Sequence, residues 1–179
     1  GGGQRTCGEN KSRSSLDLPG RQLDLLKAVY ATGKPVVLVL INGRPLSINW
    51  ADKFVPAILE AWFPGEQGGT AIAKTLFGDA APGGRLPITF PRSVGQIPCH
   101  YSRRPGGGKR YVEMDWLPLY PFGYGLTYTT FAYRDMALSR SVIDPQDTVT
   151  VSVTVTNTGK YTGDAVPQLY VRDMFSSVV

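Results

Sequence analysis

The sequence predicts an α/β unit followed by part of a β-sandwich, and three patterns carry that prediction. Residues 36–41 are six apolar residues without alternation, which is typical of a strand buried on both faces of an α/β sheet. Apolar residues at helical spacing lie on both sides of this run. Near the end of the chain, four valines alternate with Thr and Ser, as in strands of antiparallel sheets; they are Val149, Val151, Val153 and Val155.

The first predicted element is a helix with Leu23, Leu26 and Tyr30 on one side. Pro19 suits its first turn, and Gly33 suits its end. The strand at 36–41 follows and leads into a turn at 42–45, and a second strand is predicted at 57–62. A glycine-rich loop at 63–69 then precedes a helix that ends near Gly78, with an apolar side made of Ile72, Ala73 and Leu76. This alternation of strands and helices is typical of α/β domains.

The later part of the chain has two stretches that differ in composition and pattern. Residues 79–125 hold seven prolines and read as a long wrapping segment with one strand at 86–90. From residue 127 onward, strands are predicted at 149–155 and 166–171, separated by a turn at 157–159. A complete immunoglobulin-type sandwich needs about 100 residues. We therefore expect the chain to contain the start of a sandwich and to stop inside that domain.

Composition excludes several classes of protein. The chain has 179 residues, 42% hydrophobic and 18% charged, so it can bury a core and is not expected to be disordered. No apolar run approaches the roughly 18 residues of a membrane span, and residues 1–6 do not resemble a signal peptide. The net charge of +5 is scattered, and its densest patch, 103–110, reads as a solvated loop. We expect neither a nucleic-acid nor a membrane partner.

Metal and nucleophile chemistry are also disfavoured. Cys7 and Cys99 have no CxxC or zinc-ligand spacing, so no metal and no cofactor is expected; a disulfide between them is not indicated. Nothing adjacent to Cys7 suggests an activated thiolate. The single histidine, His100, accompanies no GxSxG motif, and we expect it in a surface loop without a catalytic role.

Five segments read together resemble a known family. The chain resembles the C-terminal half of glycoside hydrolase family 3, especially periplasmic β-glucosidases, and the resemblance covers nearly the whole sequence. The segments that carry it occur in the order of the family and are 13–22, 32–45, 62–69 with 76–79, 84–92 and 120–131.

The resemblance implies an architecture. Members of the family have an N-terminal barrel, an α/β sandwich domain and often a fibronectin type III-like domain. Residues 1–126 would then be a partial α/β sandwich domain with its long wrapping loop, and residues 127–179 a truncated fibronectin type III-like domain. The barrel would be a missing N-terminal part of the same parent chain. Periplasmic or extracellular location is implied in the same way.

The resemblance also implies retaining hydrolysis of β-glycosidic bonds by two carboxyl groups. The nucleophile of the family is an aspartate on the barrel, outside this chain. The acid/base of many members is a glutamate four residues before an arginine, and Glu9 stands four residues before Arg13. Asn10 and Ser12 stand where several members have Gly and Asp. We expect Glu9 to protonate the leaving oxygen and later to activate water, whereas Arg13 is expected to orient the loop.

Other candidates have plainer interpretations. Glu66 is expected to cap the following helix rather than to catalyse. Trp62 and Phe63 could stack on a sugar but are expected to pack, as is the aromatic stretch at 120–131.

The chain is predicted to be a fragment of a β-glucosidase-like enzyme that acts on a β-linked oligosaccharide or glucoside. The fragment is expected to be inactive alone. β-Xylosides are an alternative substrate. A non-catalytic scaffold or carbohydrate-contacting module is the alternative function. The substrate-binding residues and the oligomeric state are not predicted.

Overall fold

The computed structural model describes residues 3–8, 10–102 and 110–175. Its first part contains the helices α1 (Gln4–Cys7), α2 (Gln22–Tyr30), α3 (Asn49–Phe54) and α4 (Gly68–Phe77) and the strands β1 (Val37–Leu40) and β2 (Ala57–Glu60). Its second part contains the strands β3 (Phe131–Leu138) and β4 (Val151–Asn157). No helix among the described residues has the length and apolar character that crossing a bilayer requires.

Strands β1 and β2 are parallel neighbours, with Val37 opposite Ala57 and Leu40 opposite Glu60. Helix α3 lies in the connection between them, as parallel pairing requires a crossover. The predicted helices at 23–30 and 72–76 and both predicted strands are present. The first helix begins at Gln22, so Pro19 precedes it instead of lying in its first turn; the Gln22 N–H donates to the Pro19 carbonyl.

One face of β1 covers the core and the other face is open. Leu40 is 1% exposed and joins a cluster with residues of α2, of α3, of the segments on either side of α3 and of the wrapping segment, namely Leu26, Leu46, Ile48, Ala51, Val55 and Leu119. On the opposite face, Val37 is 52% exposed. The expectation that both faces of this strand are buried is therefore wrong for the described residues, because no element covers its second face there.

Strands β3 and β4 form a separate antiparallel ribbon. The predicted strand at 149–155 is present as β4, shifted by two residues. The register breaks between Arg134 and Ala137 of β3, where Asp135 has a positive φ of 54°. No third strand joins this pair among the described residues: the strand predicted at 166–171 is wrong, and Pro167 there has no N–H to donate to a sheet.

The wrapping segment is mostly irregular where it is described. The strand predicted at 86–90 is wrong; only Phe90 forms a bridge, with Tyr120. Pro87 interrupts the pattern, although the N–H groups of Leu86 and Phe90 donate to the carbonyls of Tyr124 and Tyr120.

The C-terminal ribbon is fastened to the first part at two places. The Tyr128 hydroxyl donates to the Thr75 carbonyl in the last turn of α4 at 2.6 Å. Beyond β4, the segment that reaches residue 175 returns to the first part. There, the Asp164 side chain lies against Gly83, and the Gln168 side chain lies against Gly123.

Candidate functional site

The candidate site lies at the carboxyl ends of the two parallel strands. Because β1 and β2 run in the same direction, the residues that follow them meet at one edge of the sheet. Asn42, Gly43 and Arg44 follow β1, while Glu60 ends β2 and Trp62 follows it. In open α/β sheets, this edge is where ligands usually bind.

A buried amide and a carboxylate join these two strand ends. The Asn42 side chain is fully buried, and its Nδ2 donates to the Arg44 carbonyl at 2.8 Å and to Glu60 Oε2 at 3.4 Å. Glu60 Oε1 accepts the Trp62 N–H at 2.9 Å. The Asn42 N–H in turn donates to the Trp62 carbonyl at 3.2 Å. These bonds hold Trp62 at a positive φ of 51°, a conformation that costs energy in a residue other than glycine.

The carboxyl group of Glu60 is shifted in its titration. Burial raises the pKa of Glu60 above its usual value of 4.5, against the opposing effect of hydrogen bonds from the Trp62 N–H and the Asn42 amide. Partial desolvation disfavours the charged form of a carboxyl group. This carboxyl therefore takes up protons at a higher pH than a carboxyl in water.

The segment around residues 7–11 packs on the turn after β1. An added Cβ on Gly43 would lie 2.6 Å from Phe63 Cε2 and 3.4 Å from Cys7 Cβ, so only glycine permits this approach without movement. Arg44 Nη2 donates to the Lys11 carbonyl at 2.8 Å. The N-terminal segment is thus attached to the strand edge from Cys7 to Lys11.

The thiol of Cys7 has a polar environment that the sequence did not indicate. Burial raises the pKa of Cys7. The opposite effect comes from the donor groups of Gly43, Thr6 and Arg44 and from the positive charge of Arg44. These effects together outweigh burial, so the pKa of Cys7 lies below its usual value of 9.0. The sequence neighbours of Cys7 do not reveal this influence, because Arg44 is 37 residues away in sequence. Both Cys7 and Cys99 are free thiols.

Glu9, the predicted acid/base, lies outside the described residues. Its neighbours Gly8 and Asn10 are described, and Asn10 has a positive φ of 56°. Arg13 Nη2 donates to the Asp17 carbonyl at 2.9 Å, four residues further along the chain, and its expected orienting role toward Glu9 stays a prediction. The assignment of Glu9 stays a prediction.

The aromatic candidates pack against one another. The Trp62 ring meets the buried Phe90 ring edge-on at 5.8 Å, and Tyr120 stacks on Tyr124 at 5.1 Å. Burial and the adjacent Asp52 carboxylate, which accepts the Tyr120 hydroxyl at 2.6 Å, raise the pKa of Tyr120 well above its usual value. Phe63, in contrast, is 54% exposed.

Two further candidates occupy the surface. Glu66 is exposed and precedes the N-cap residue of α4, Gln67, and no side-chain hydrogen bond caps this helix. The role predicted for Glu66, a carboxylate charge that complements the dipole of this helix, needs no hydrogen bond and stays a prediction. His100 is exposed in a loop, and within the described ranges no group of His, Cys, Asp or Glu side chains is arranged to hold a metal ion.

Sequence reasoning missed Asn42, Arg44 and Glu60. Each is a polar residue at the end of a predicted parallel strand, and that position was the available signal. The distance in sequence between Arg44 and Glu9 concealed that the turn after β1 meets the N-terminal segment.

Comparisons with known proteins agree on one family. Residues 1–128 match the model of the glycosyl hydrolase family 3 C-terminal domain. The chain is 53% identical to a beta-xylosidase from Formosa agariphila and 49% identical to a periplasmic beta-glucosidase from Salmonella typhimurium, in each case over 99% of this chain and 25% of the relative. The chain therefore spans about a quarter of the length of these relatives.

Solved structures give the same result. A b-glucosidase from Erythrobacter marinus matches with a TM-score of 0.79 and 50% identity, over 85% of this chain and 20% of that one. A beta-glucosidase from Listeria innocua in complex with glucose matches with a TM-score of 0.80 and 34% identity, over 87% of this chain and 23% of that one.

Proposed function

The chain belongs to glycosyl hydrolase family 3, as its C-terminal domain, and from this premise we propose that it is part of a retaining β-glycosidase. The enzyme would remove terminal β-linked sugars from oligosaccharides or glucosides. Glu9 would be the acid/base, and the nucleophile would lie on an N-terminal barrel of the same parent chain. The longer chain that carries both parts is called the full-length enzyme below.

The observation that carries the proposal is the location of the segment that contains Glu9. Cys7 and Lys11, on either side of Glu9 in sequence, contact the turn at the carboxyl end of β1. The described residues on both sides of Glu9 therefore lie at the edge of the sheet where α/β domains present functional groups. The relatives, which are named beta-glucosidases and beta-xylosidases, support the reaction class.

The chemistry needs one carboxyl group from each part. Retention requires two carboxyl groups roughly 5–5.5 Å apart, one as nucleophile and one as acid/base. Glu9 would give its proton to the leaving oxygen in the first step, then take a proton from the attacking water in the second. The 179-residue chain alone supplies one of the two groups and is expected to be inactive.

The substrate is a β-glucoside or a β-xyloside. The relatives carry both names, the Formosa protein that of a beta-xylosidase and the Salmonella protein that of a beta-glucosidase. Paired kcat/KM values of the full-length enzyme on 4-nitrophenyl β-glucoside and β-xyloside distinguish them. We favour the glucoside, as do the b-glucosidases among the structural matches.

The proposal extends to the domain division, the location and an alternative function. Residues 1–126 would be the α/β sandwich domain, and residues 127–179 the start of a fibronectin type III-like domain, to which β3 and β4 would contribute. The periplasmic name of the Salmonella relative supports a periplasmic or extracellular location. The alternative function is a scaffold or carbohydrate-contacting module without catalysis, favoured by the exposure of Phe63.

The experiment compares Glu9→Gln with Glu66→Gln in the full-length enzyme. Glu9→Gln should lower kcat/KM by about 10²–10⁴-fold on a phenyl β-glucoside, because its leaving group needs protonation. On 2,4-dinitrophenyl β-glucoside, which needs little protonation, kcat/KM should be nearly unchanged. Glu66→Gln, an exposed carboxyl on another loop, should behave as the parent on both substrates.

Azide provides a second readout for the same role. Azide attacks the glycosyl-enzyme without base assistance, so it should raise kcat of a Glu9→Ala variant and yield β-glycosyl azide. Equal loss on both aryl glycosides together with no azide effect would place the acid/base elsewhere. Turnover of a phenyl β-glucoside by the isolated 179-residue chain would contradict the division of the site between two parts.

A further inference from the structure

The turn that carries Arg44 meets the segment around Glu9 on both sides. Arg44 Nη2 donates to the Lys11 carbonyl at 2.8 Å, two residues after Glu9. On the other side, Cys7, two residues before Glu9, lies against Gly43, the residue that precedes Arg44, and the charge of Arg44 contributes to lowering the pKa of its thiol. The turn formed by Gly43 and Arg44 therefore meets the chain at residues 7 and 11, and Arg44 makes its contact through a rigid, planar group.

The attachment of Arg44 itself is rigid. Its carbonyl accepts Nδ2 of the fully buried Asn42 at 2.8 Å, and Asn42 is joined in turn to Glu60 at the end of β2. These contacts form a continuous path from the parallel sheet through the turn after β1 to the N-terminal segment. The sheet edge thus supplies a fixed reference point for the backbone on both sides of Glu9.

Such a bridge matters because an acid/base group must be held within a small tolerance. A displacement of about 1 Å at a reacting group can cost roughly 10²-fold in rate. The residues from 7 to 11 lie at the surface and are half-buried or exposed where the structure describes them, so packing alone gives them little constraint. Hydrogen bonds to fixed partners then provide the constraint.

We propose that Arg44 is a positioning residue for the acid/base of this enzyme, holding the segment from Cys7 to Lys11 so that Glu9 is presented to the leaving oxygen. Arg44 acts through Glu9 and does not touch the sugar. The proposal rests on the proposed function of Glu9.

The test uses kcat/KM of the full-length enzyme on substrates with poor and good leaving groups. Arg44→Met should lower kcat/KM about 10- to 100-fold on the phenyl β-glucoside, and less than about threefold on the 2,4-dinitrophenyl β-glucoside. Arg92→Met is the matched control: its Nε donates to the Leu117 carbonyl at 3.1 Å, so it also loses a bond from arginine to a backbone carbonyl, but at another place. This control should show no bias between the substrates.

A double variant tests whether Arg44 acts through Glu9. In a Glu9→Gln background, Arg44→Met should cause no further loss on the phenyl β-glucoside, because residues that act as a unit are not additive. A full additional loss would overturn the proposal. An equal loss of Arg44→Met on both substrates would do the same, since it indicates a general structural role.

The proposal can fail separately from the proposed function. If Glu9→Gln shows the leaving-group bias and Arg44→Met does not, Glu9 is the acid/base and Arg44 is not its positioning residue. If Glu9→Gln shows no bias, the proposed function fails and the role of Arg44 fails with it.

Arg44→Lys and the thiol of Cys7 give readouts that survive poor folding of Arg44→Met. Lys keeps the charge but has a single nitrogen, so it should show a smaller loss with the same bias toward the phenyl substrate. In both Arg44 variants, the pH midpoint for alkylation of Cys7, followed on its peptide by mass spectrometry, should move upward. An unchanged midpoint in both would show that Arg44 does not hold Cys7.

Discussion

The two strand pairs of this chain differ in how their residues are used. The β1–β2 pair has four residues per strand, yet it contains the fully buried Asn42 at its edge and Leu40, 1% exposed, in its core. The β3–β4 pair has eight and seven residues, yet Met136 is 72% exposed and Leu138 is 56% exposed. The number of paired residues in a strand pair therefore does not determine how deeply its side chains are buried. In the β1–β2 pair, the buried polar side chain of Asn42 holds the turn at the edge of the sheet.

The largest expected difference between the pairs comes from matched truncations of leucine. Leu40→Ala should destabilise β1–β2 by about 2–5 kcal/mol, because it removes buried methyl groups and leaves a cavity. Leu138→Ala should cost about 0.5 kcal/mol, since its side chain is already in water. Hydrogen exchange of peptides from each pair in the full-length enzyme measures both, and equal losses would erase the contrast.

Two asparagines sharpen the comparison. Asn42→Leu should lower the free energy of unfolding by about 1–3 kcal/mol for each polar group that loses its hydrogen bond. These groups are the Arg44 carbonyl and Glu60 Oε2. Asn157 is itself exposed; it donates to the Tyr161 carbonyl at 2.9 Å and accepts the Gly159 N–H at 3.0 Å and the hydroxyl of the buried Thr129 at 2.6 Å.

Water can replace the two backbone partners, so Asn157→Leu leaves one buried group, the Thr129 hydroxyl, without a partner and should cost about 1–3 kcal/mol in the same exchange measurement, against two such groups for Asn42→Leu. A larger loss for Asn157 than for Asn42 would mean that the ribbon, and not the sheet edge, depends on side-chain hydrogen bonds.

The smallest expected effect is a pH dependence confined to one pair. Because the folded pKa of Glu60 lies above 4.5, the folded state binds more protons than the unfolded state between the two values. The contribution of Glu60 to stability is therefore present below about pH 4.5 and is lost as pH rises through its folded pKa. Glu60→Gln should remove this part of the curve.

The check is local stability of both pairs from pH 4 to 8, after correction for intrinsic exchange. The β3–β4 peptides should give the same curve in the parent and in Glu60→Gln. Parallel curves for the β1–β2 peptides would show that Glu60 titrates alike in the folded and unfolded states.

Sequence patterns predicted elements better than they predicted burial. The helix that contains Leu26, the helix that ends at Gly78 and the strand of alternating valines are all present. Strand β3 was missed because its bulge at Asp135 interrupts the alternation by which a strand is identified. Helix α3 was missed because six residues are too few for a helical period.

The sequence motif of the candidate site was predictable, but the contacts that hold its segment in place were not. Glu9 and Arg13 share a local spacing that a single sequence displays. The contact of Arg44 with Lys11 joins residues 33 positions apart, which no local pattern reveals. The open second face of β1 was not predictable either, since an apolar run is the same whether or not another element covers it.

The hydrogen bond from Tyr128 to Thr75 bears on where this polypeptide can be cut. Residues 126 and 127 divide the two predicted domains, yet removing everything after 126 would take the Tyr128 hydroxyl from the Thr75 carbonyl, leaving it the Gly78 N–H at 3.3 Å, and would uncover Gly83 and Gly123. Tolerance to truncation depends on the backbone groups that lose their partners. An expression fragment that ends at residue 126 would therefore be a poorer choice than one that keeps the returning segment through residue 168.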